Sequence, residues 1–176
     1  MQKWLILGYG NVDRQDDGLG WHVLARLARR LGRHVPKENE LEFEFENLNP
    51  EFLFVLQLTP ELAEQVAAYD HVCFIDAHTG AIPHEIQVLQ LDAKFQNSPF
   101  THHMTPETLL SFCQSLYGHT PQATLVSIHG YEFGFSRSLS ATADALADQA
   151  VDRIITLADF PGRGRSQTVA TSPLKA

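Results

Sequence analysis

Three side chains in this sequence stand where chemistry can be done. Asp17 follows the apolar run Leu5-Ile6-Leu7 and the glycine turn Gly8-Tyr9-Gly10; Asp76 ends the apolar run Val72-Cys73-Phe74-Ile75; His102 precedes the helix start Thr105-Pro106-Glu107. Two carboxylates and an imidazole make an open three-ligand cation site suited to nickel, zinc or manganese, with positions left for water or for groups brought by a partner. Taken singly, each residue keeps an ordinary alternative. A carboxylate at a strand end is often a helix cap, and a lone histidine is often satisfied structurally. Asp16 and Asp17 leave two readings: both serve the start of the next helix, or one caps it while the other faces a crevice.

The elements that must position these groups follow from hydrophobic periodicity. Trp4 to Gly8 reads as a buried strand of an α/β sheet, and Leu19, Val23, Leu24, Leu27 and Leu31 mark a helix. Leu41-Glu42-Phe43-Glu44-Phe45-Glu46 alternates as a half-exposed strand whose glutamates suit a solvated face. Phe52 to Leu58 is an apolar loop or short strand, either core or a partner surface. Thr59-Pro60-Glu61 opens a helix to about Ala68, with the Thr59 hydroxyl as N-cap. His71 to Ala77 is a buried strand, and Glu85 to Leu91 another; their short connection leaves no room for a crossover helix and predicts antiparallel neighbours. Leu109, Leu110, Cys113, Leu116 and Tyr117 form a helical stripe, Ala123 to Gly130 the last strand, and Ser140 caps a final helix. The order β-α-β-α-β-β-α-β-α predicts a three-layer α/β/α domain over residues 1–160, with a mostly parallel, mixed sheet of about five strands. Residues 161–176, rich in Gly, Ser, Thr and Pro, read as a flexible tail.

Composition narrows the classes. A length of 176 residues with 44% hydrophobic and 19% charged residues suits a soluble globular protein. A net charge of −8 disfavours sequence-independent nucleic-acid binding. No run is long enough for membrane insertion, and the apolar run after Lys3 is too short for a signal peptide, so a cytoplasmic protein, expected to act as a monomer, follows. Cys73 and Cys113 lie inside apolar runs and read as buried thiols. A dinucleotide fingerprint fails because Asp13 stands where Gly-x-Gly-x-x-Gly needs its third glycine. There is also no His-Glu-x-x-His helix and no Gly-x-Ser-x-Gly elbow.

The opening Gly8-Tyr9-Gly10-Asn11, followed by Asp16-Asp17 and Gly20, resembles that of the maturation endopeptidases of nickel-iron hydrogenases. Phe74-Ile75-Asp76-Ala77 resembles the family's second motif, and Thr101-His102-His103-Met104 ahead of Leu109-Leu110 its third. The resemblance runs from about Trp4 to Leu157. It departs at Asn49-Pro50-Glu51-Phe52, where the family often has Asp-Gly-Gly-Thr, and at His84, where glycine is common. It implies an endopeptidase that removes the C-terminal extension of a hydrogenase large-subunit precursor once nickel is installed. It also implies that Asp17, Asp76 and His102 are the catalytic and metal-contacting residues, reaching nickel presented by the substrate; the resting metal is left open. His103 and Glu132 are auxiliary candidates, with loop surface and capping as alternative roles. A non-catalytic metal-binding chaperone, a metal-dependent hydrolase of another substrate and a nucleotide binder are the competing functions.

Overall fold

The computed structural model describes residues 2–37, 48–94 and 104–158. Five strands form one sheet in the order β2-β1-β3-β5-β4, where β1 is Trp4–Tyr9, β2 Glu51–Val55, β3 His71–His78, β4 Ile86–Leu91 and β5 Gln122–His129. Pairings are parallel except β4 with β5. Helices α1 (Leu19–Arg30) and α4 (Ala141–Ala158) pack together on one face, and α2 (Leu62–Val66) and α3 (Pro106–Tyr117) on the other. This is the three-layer α/β/α architecture with a mostly parallel, five-stranded sheet.

Alternation along each strand divides the core in two. Ile6, Cys73, Ile75, Val126 and Ile128 face α1 and α4, whereas Leu5, Leu7, Val72, Phe74 and Ala123 face α2 and α3. Each face buries its apolar set, so a one-residue slip of any central strand would expose it. Phe52 and Phe54 are buried, which assigns this part of the Phe52 to Leu58 segment to a core strand.

Three local expectations are corrected. Strand β4 runs antiparallel to β3 but does not neighbour it: β5 lies between them. The short connection does forbid a crossover helix, yet it need only bridge two strand spacings, about 10 Å, which an extended chain of that length spans easily. Helix α2 starts at Leu62 and ends at Val66: Glu61 rather than Thr59 holds its N-cap position, no side chain caps it, and Thr59 meets the helix start through its carbonyl, which accepts from the Leu62 amide at 3.2 Å. Helix α1 likewise has Gly18 at its N-cap and no side-chain cap, so neither Asp16 nor Asp17 caps it. By contrast, Thr105 caps α3 by accepting from the Thr108 amide at 3.3 Å, and Ser140 caps α4 by accepting from the Ala143 amide at 3.3 Å. The strand expected over 41–46 and the tail over 161–176 lie outside the described residues.

Candidate active site

The chain leaves β1 toward β2 on one side and returns as β3 on the other. This reversal of strand order opens a crevice beyond the carboxyl ends of β1 and β3, where ligands of such sheets bind. Tyr9 ends β1, and Asp76 lies near the end of β3 one step beyond the Gly8–Ile75 pair. By alternation from Leu7 and Phe74, both side chains fall on the α2/α3 side of the sheet.

Asp17 reaches the same crevice by a different route. After β1 the chain turns at Gly10, whose φ of 135° is accessible only to glycine, and enters a single 3-10 turn at Gln15–Gly18. A Cβ on Gly10 would stand 2.0 Å from the Asp17 carbonyl oxygen. The loop can therefore fold this tightly only with glycine there. The Asp17 carboxylate accepts from the Asn11 amide at 2.9 Å, so the residue after the glycine turn fixes its orientation. Below it, Gly8 and Gly20 let β1 and the first turn of α1 touch: a Cβ on Gly8 would meet the Gly20 carbonyl oxygen at 2.8 Å.

Tyr9, Gly10, Asp17, Leu56, Gln57, Leu58, Asp76 and Met104 line a cleft of about 360 Å³. Two of the three predicted site residues thus share one wall system although they lie far apart in sequence. The third, His102, lies outside the described residues, as does His103; Met104, two positions after His102, lines the cleft. Among the described residues no group of three or more His, Cys, Asp or Glu side chains is arranged to hold a metal ion. The described part of the cleft therefore offers two carboxylates, and a cation there would need further ligands from elsewhere.

The cleft perturbs its own groups. Burial pushes the Asp76 carboxyl up to about 6, with the nearby Asp17 charge adding to the rise, while hydrogen bonds from the Tyr9 hydroxyl and the Ala77 amide oppose it. The Tyr9 hydroxyl is held well above its ordinary value, first by burial and then by Asp76, with a smaller contribution from Glu107. It therefore stays protonated and acts as a donor toward the ionised Asp76 carboxylate. A carboxyl poised near neutrality beside a second carboxylate is a pair that a divalent cation would drive to full ionisation.

Asp16, adjacent in sequence, has a wholly different place. It is fully buried, and its oxygens accept from the Ser140 amide at 2.7 Å, the Ser140 hydroxyl at 2.6 Å, and the amides of Tyr131 and Glu132 at 2.8 and 2.9 Å. Burial alone would raise its pKa, but these hydrogen bonds together hold it below the usual value. Glu132 is also absent from the cleft lining; its carboxylate accepts from the Gln15 amide group at 3.0 Å.

Sequence reasoning missed Tyr9 and Met104 as cleft residues, whereas Leu56 belongs to the Phe52 to Leu58 segment that it left as core or partner surface. Only Tyr9 left a usable signal: the period-two set Leu5, Leu7, Tyr9 puts it on the same face as Val72, Phe74 and Asp76. Leu56 is 64% exposed after β2, at the cleft rather than in the core.

No protein-family model matches the chain, and no curated protein matches it. Solved structures do. A [NiFe] hydrogenase maturation protease HycI from Thermococcus kodakarensis is 19% identical, with a TM-score of 0.61 over 90% of this chain and 94% of its own. The hydrogenase maturating endopeptidase HybD of E. coli is 20% identical, with a TM-score of 0.60 over 88% and 91%. A hydrogenase 2 maturation peptidase from a Thaumarchaeota archaeon is 22% identical, with a TM-score of 0.57 over 91% and 100%. Nearly the whole chain thus shares its fold with solved hydrogenase maturation endopeptidases.

Proposed function

We propose that this protein is a hydrogenase maturation endopeptidase, which removes the C-terminal extension of a nickel-iron hydrogenase large-subunit precursor after nickel insertion. The observation that carries this function is the meeting of Asp17 and Asp76, from separate elements, on one cleft at the reversal of strand order. The full-length likeness of fold and the ordered sequence motifs support it further.

In this function the nickel belongs to the substrate. Asp17 and Asp76 supply carboxylate oxygens toward it, and His102 supplies the imidazole that the family resemblance implies. The Tyr9 hydroxyl, beside Asp76 on the cleft wall, favours the ionised form of that carboxylate. Holding the metal fixes the neighbouring peptide bond, and cleavage then gains from proximity and from polarisation of the carbonyl. The enzyme acts in the cytoplasm, and among its described residues no helix is long and apolar enough to cross a membrane.

The decisive experiment is to incubate the protein with nickel-loaded and nickel-free large-subunit precursor from the same organism and to weigh the products. Loss of a C-terminal peptide that requires both nickel and Asp17 is the expected result. Stable binding of the nickel-loaded precursor without any change in mass would instead establish a metal-binding chaperone.

A further inference from the structure

The segment joining β5 to α4 carries Phe135, which is 97% exposed, and Tyr131, which is 42% exposed. A single exposed apolar residue is ordinary; one on a firmly held backbone calls for a reason. The segment is strapped to residues 13–16 along its length. The Gln15 amide donates to the Ser136 carbonyl at 2.7 Å, the Ser136 amide to the Asp13 carbonyl at 3.1 Å, and the Asp16 amide to the Glu132 carbonyl at 3.0 Å. The Gln15 side chain accepts from the Gly134 amide at 2.7 Å, and Arg137 pairs with Asp13 at 2.6 Å. Gln15 itself has φ of 47°, a left-handed backbone that a non-glycine residue adopts only when its surroundings impose it. Beneath, the buried Asp16 holds the amides of Tyr131 and Glu132.

We propose that Phe135, on this strapped loop, is a docking knob for the folded body of the protein substrate, inserting into an apolar pocket on its surface. This rests on the function proposed above. Three observations favour that occupant. The 3-10 turn that clamps the loop through Gln15 and Asp16 also carries Asp17 into the cleft, so a protein reaching Asp17 lies beside the loop. A buried phenylalanine contributes about 200 Å², far below the roughly 1,600 Å² of a stable dimer interface, which suits a substrate that must leave. Around the loop Asp13, Glu132 and Glu85 outnumber Arg14 and Arg137, and with a net chain charge of −8 this disfavours an anionic membrane surface.

The test is steady-state cleavage of nickel-loaded precursor by wild type, Phe135→Ser and Phe135→Leu, with direct precursor binding measured in parallel. Phe135→Ser is expected to raise KM about tenfold with kcat unchanged, to leave the thermal melt unchanged, and to be largely rescued by Phe135→Leu. An unchanged KM alongside intact cleavage would overturn the docking role while leaving the endopeptidase function standing. Should wild type bind the precursor without cleaving it, the endopeptidase function falls, and a tenfold weaker complex with Phe135→Ser still supports docking, whereas equal binding or none overturns it. Self-association or vesicle binding by wild type that is lost in Phe135→Ser, with precursor binding intact, also overturns it.

Discussion

Asp16 and Asp17 are neighbours in the chain and identical in chemistry, yet one is structural and the other faces the cleft. Asp16 is turned inward under the β5–α4 loop, where four donors and the N-terminus of an 18-residue helix surround it. Asp17 is partly exposed beside Asp76, with one backbone donor from Asn11 and its other lone pairs toward the cleft. The difference shows that hydrogen-bond saturation, rather than residue type, separates a carboxylate that holds a fold from one free to take a ligand. A saturated carboxylate has nothing left to offer a cation; an unsaturated one beside a second carboxyl carries unmet charge.

The largest effect should come from breaking the saturated side. Asp16→Ala leaves three backbone amides and a hydroxyl without their acceptor and should cost about 3–5 kcal/mol, read as a fall in denaturant midpoint with any surviving activity intact per folded molecule. The same site sets a pH dependence. Because its folded pKa is depressed, its stabilisation is fully present above the ordinary carboxylate range and is lost as pH falls through the folded value. An acid titration of stability in Asp16→Asn should lack that component.

On the unsaturated side, Asp17→Asn should lower kcat/KM for nickel-loaded precursor by about a hundredfold or more while the melt stays near wild type. Equal loss of stability in Asp17→Asn and Asp16→Asn would erase the distinction between the two residues. Asp76→Asn should go further and stabilise the fold while abolishing cleavage. Its folded pKa of about 6 lies above the unfolded value, so wild-type stability declines as pH rises between about 4 and about 6 and stays lower above that window. Removing the charge should restore up to about 3 kcal/mol at pH 7, and a Tm no higher than wild type there would count against burial as the cause. Tyr9→Phe should have the smallest effect. Losing its donated hydrogen bond moves the Asp76 titration, and with it the acidic limb of kcat/KM, to higher pH.

The same division governs what could be read beforehand. Strand and helix types followed from local pattern: β1, β3 and β5 are apolar runs, and Thr105-Pro106-Glu107 carries its own start signal. Thr59-Pro60-Glu61 shows the limit of that logic, since the same residue types there leave Glu61 at the N-cap position and no side-chain cap forms. For the site, Asp76 was legible at the end of an apolar strand, whereas the strand and glycine turn pointed to the Asp16-Asp17 pair and only the family resemblance singled out Asp17. Met104 was not, because its apolar side chain looks like a core residue until the cleft is seen, and Leu56 was legible only within a segment that suited core and partner surface alike.

By itself, the sequence determined the layered α/β class, the mostly parallel sheet, a carboxylate at the end of β3 and an acidic pair after the glycine turn that leaves β1, because periodicity and glycine turns are local and each residue carries its own signal. Only the tertiary structure decided which of two adjacent aspartates is saturated, that β5 separates β3 from β4, and that Tyr9 donates to Asp76. Those facts depend on donors and strands brought together from more than 30 residues apart, as Ser140 is to Asp16 with a separation of 124. No local pattern encodes which distant amide arrives.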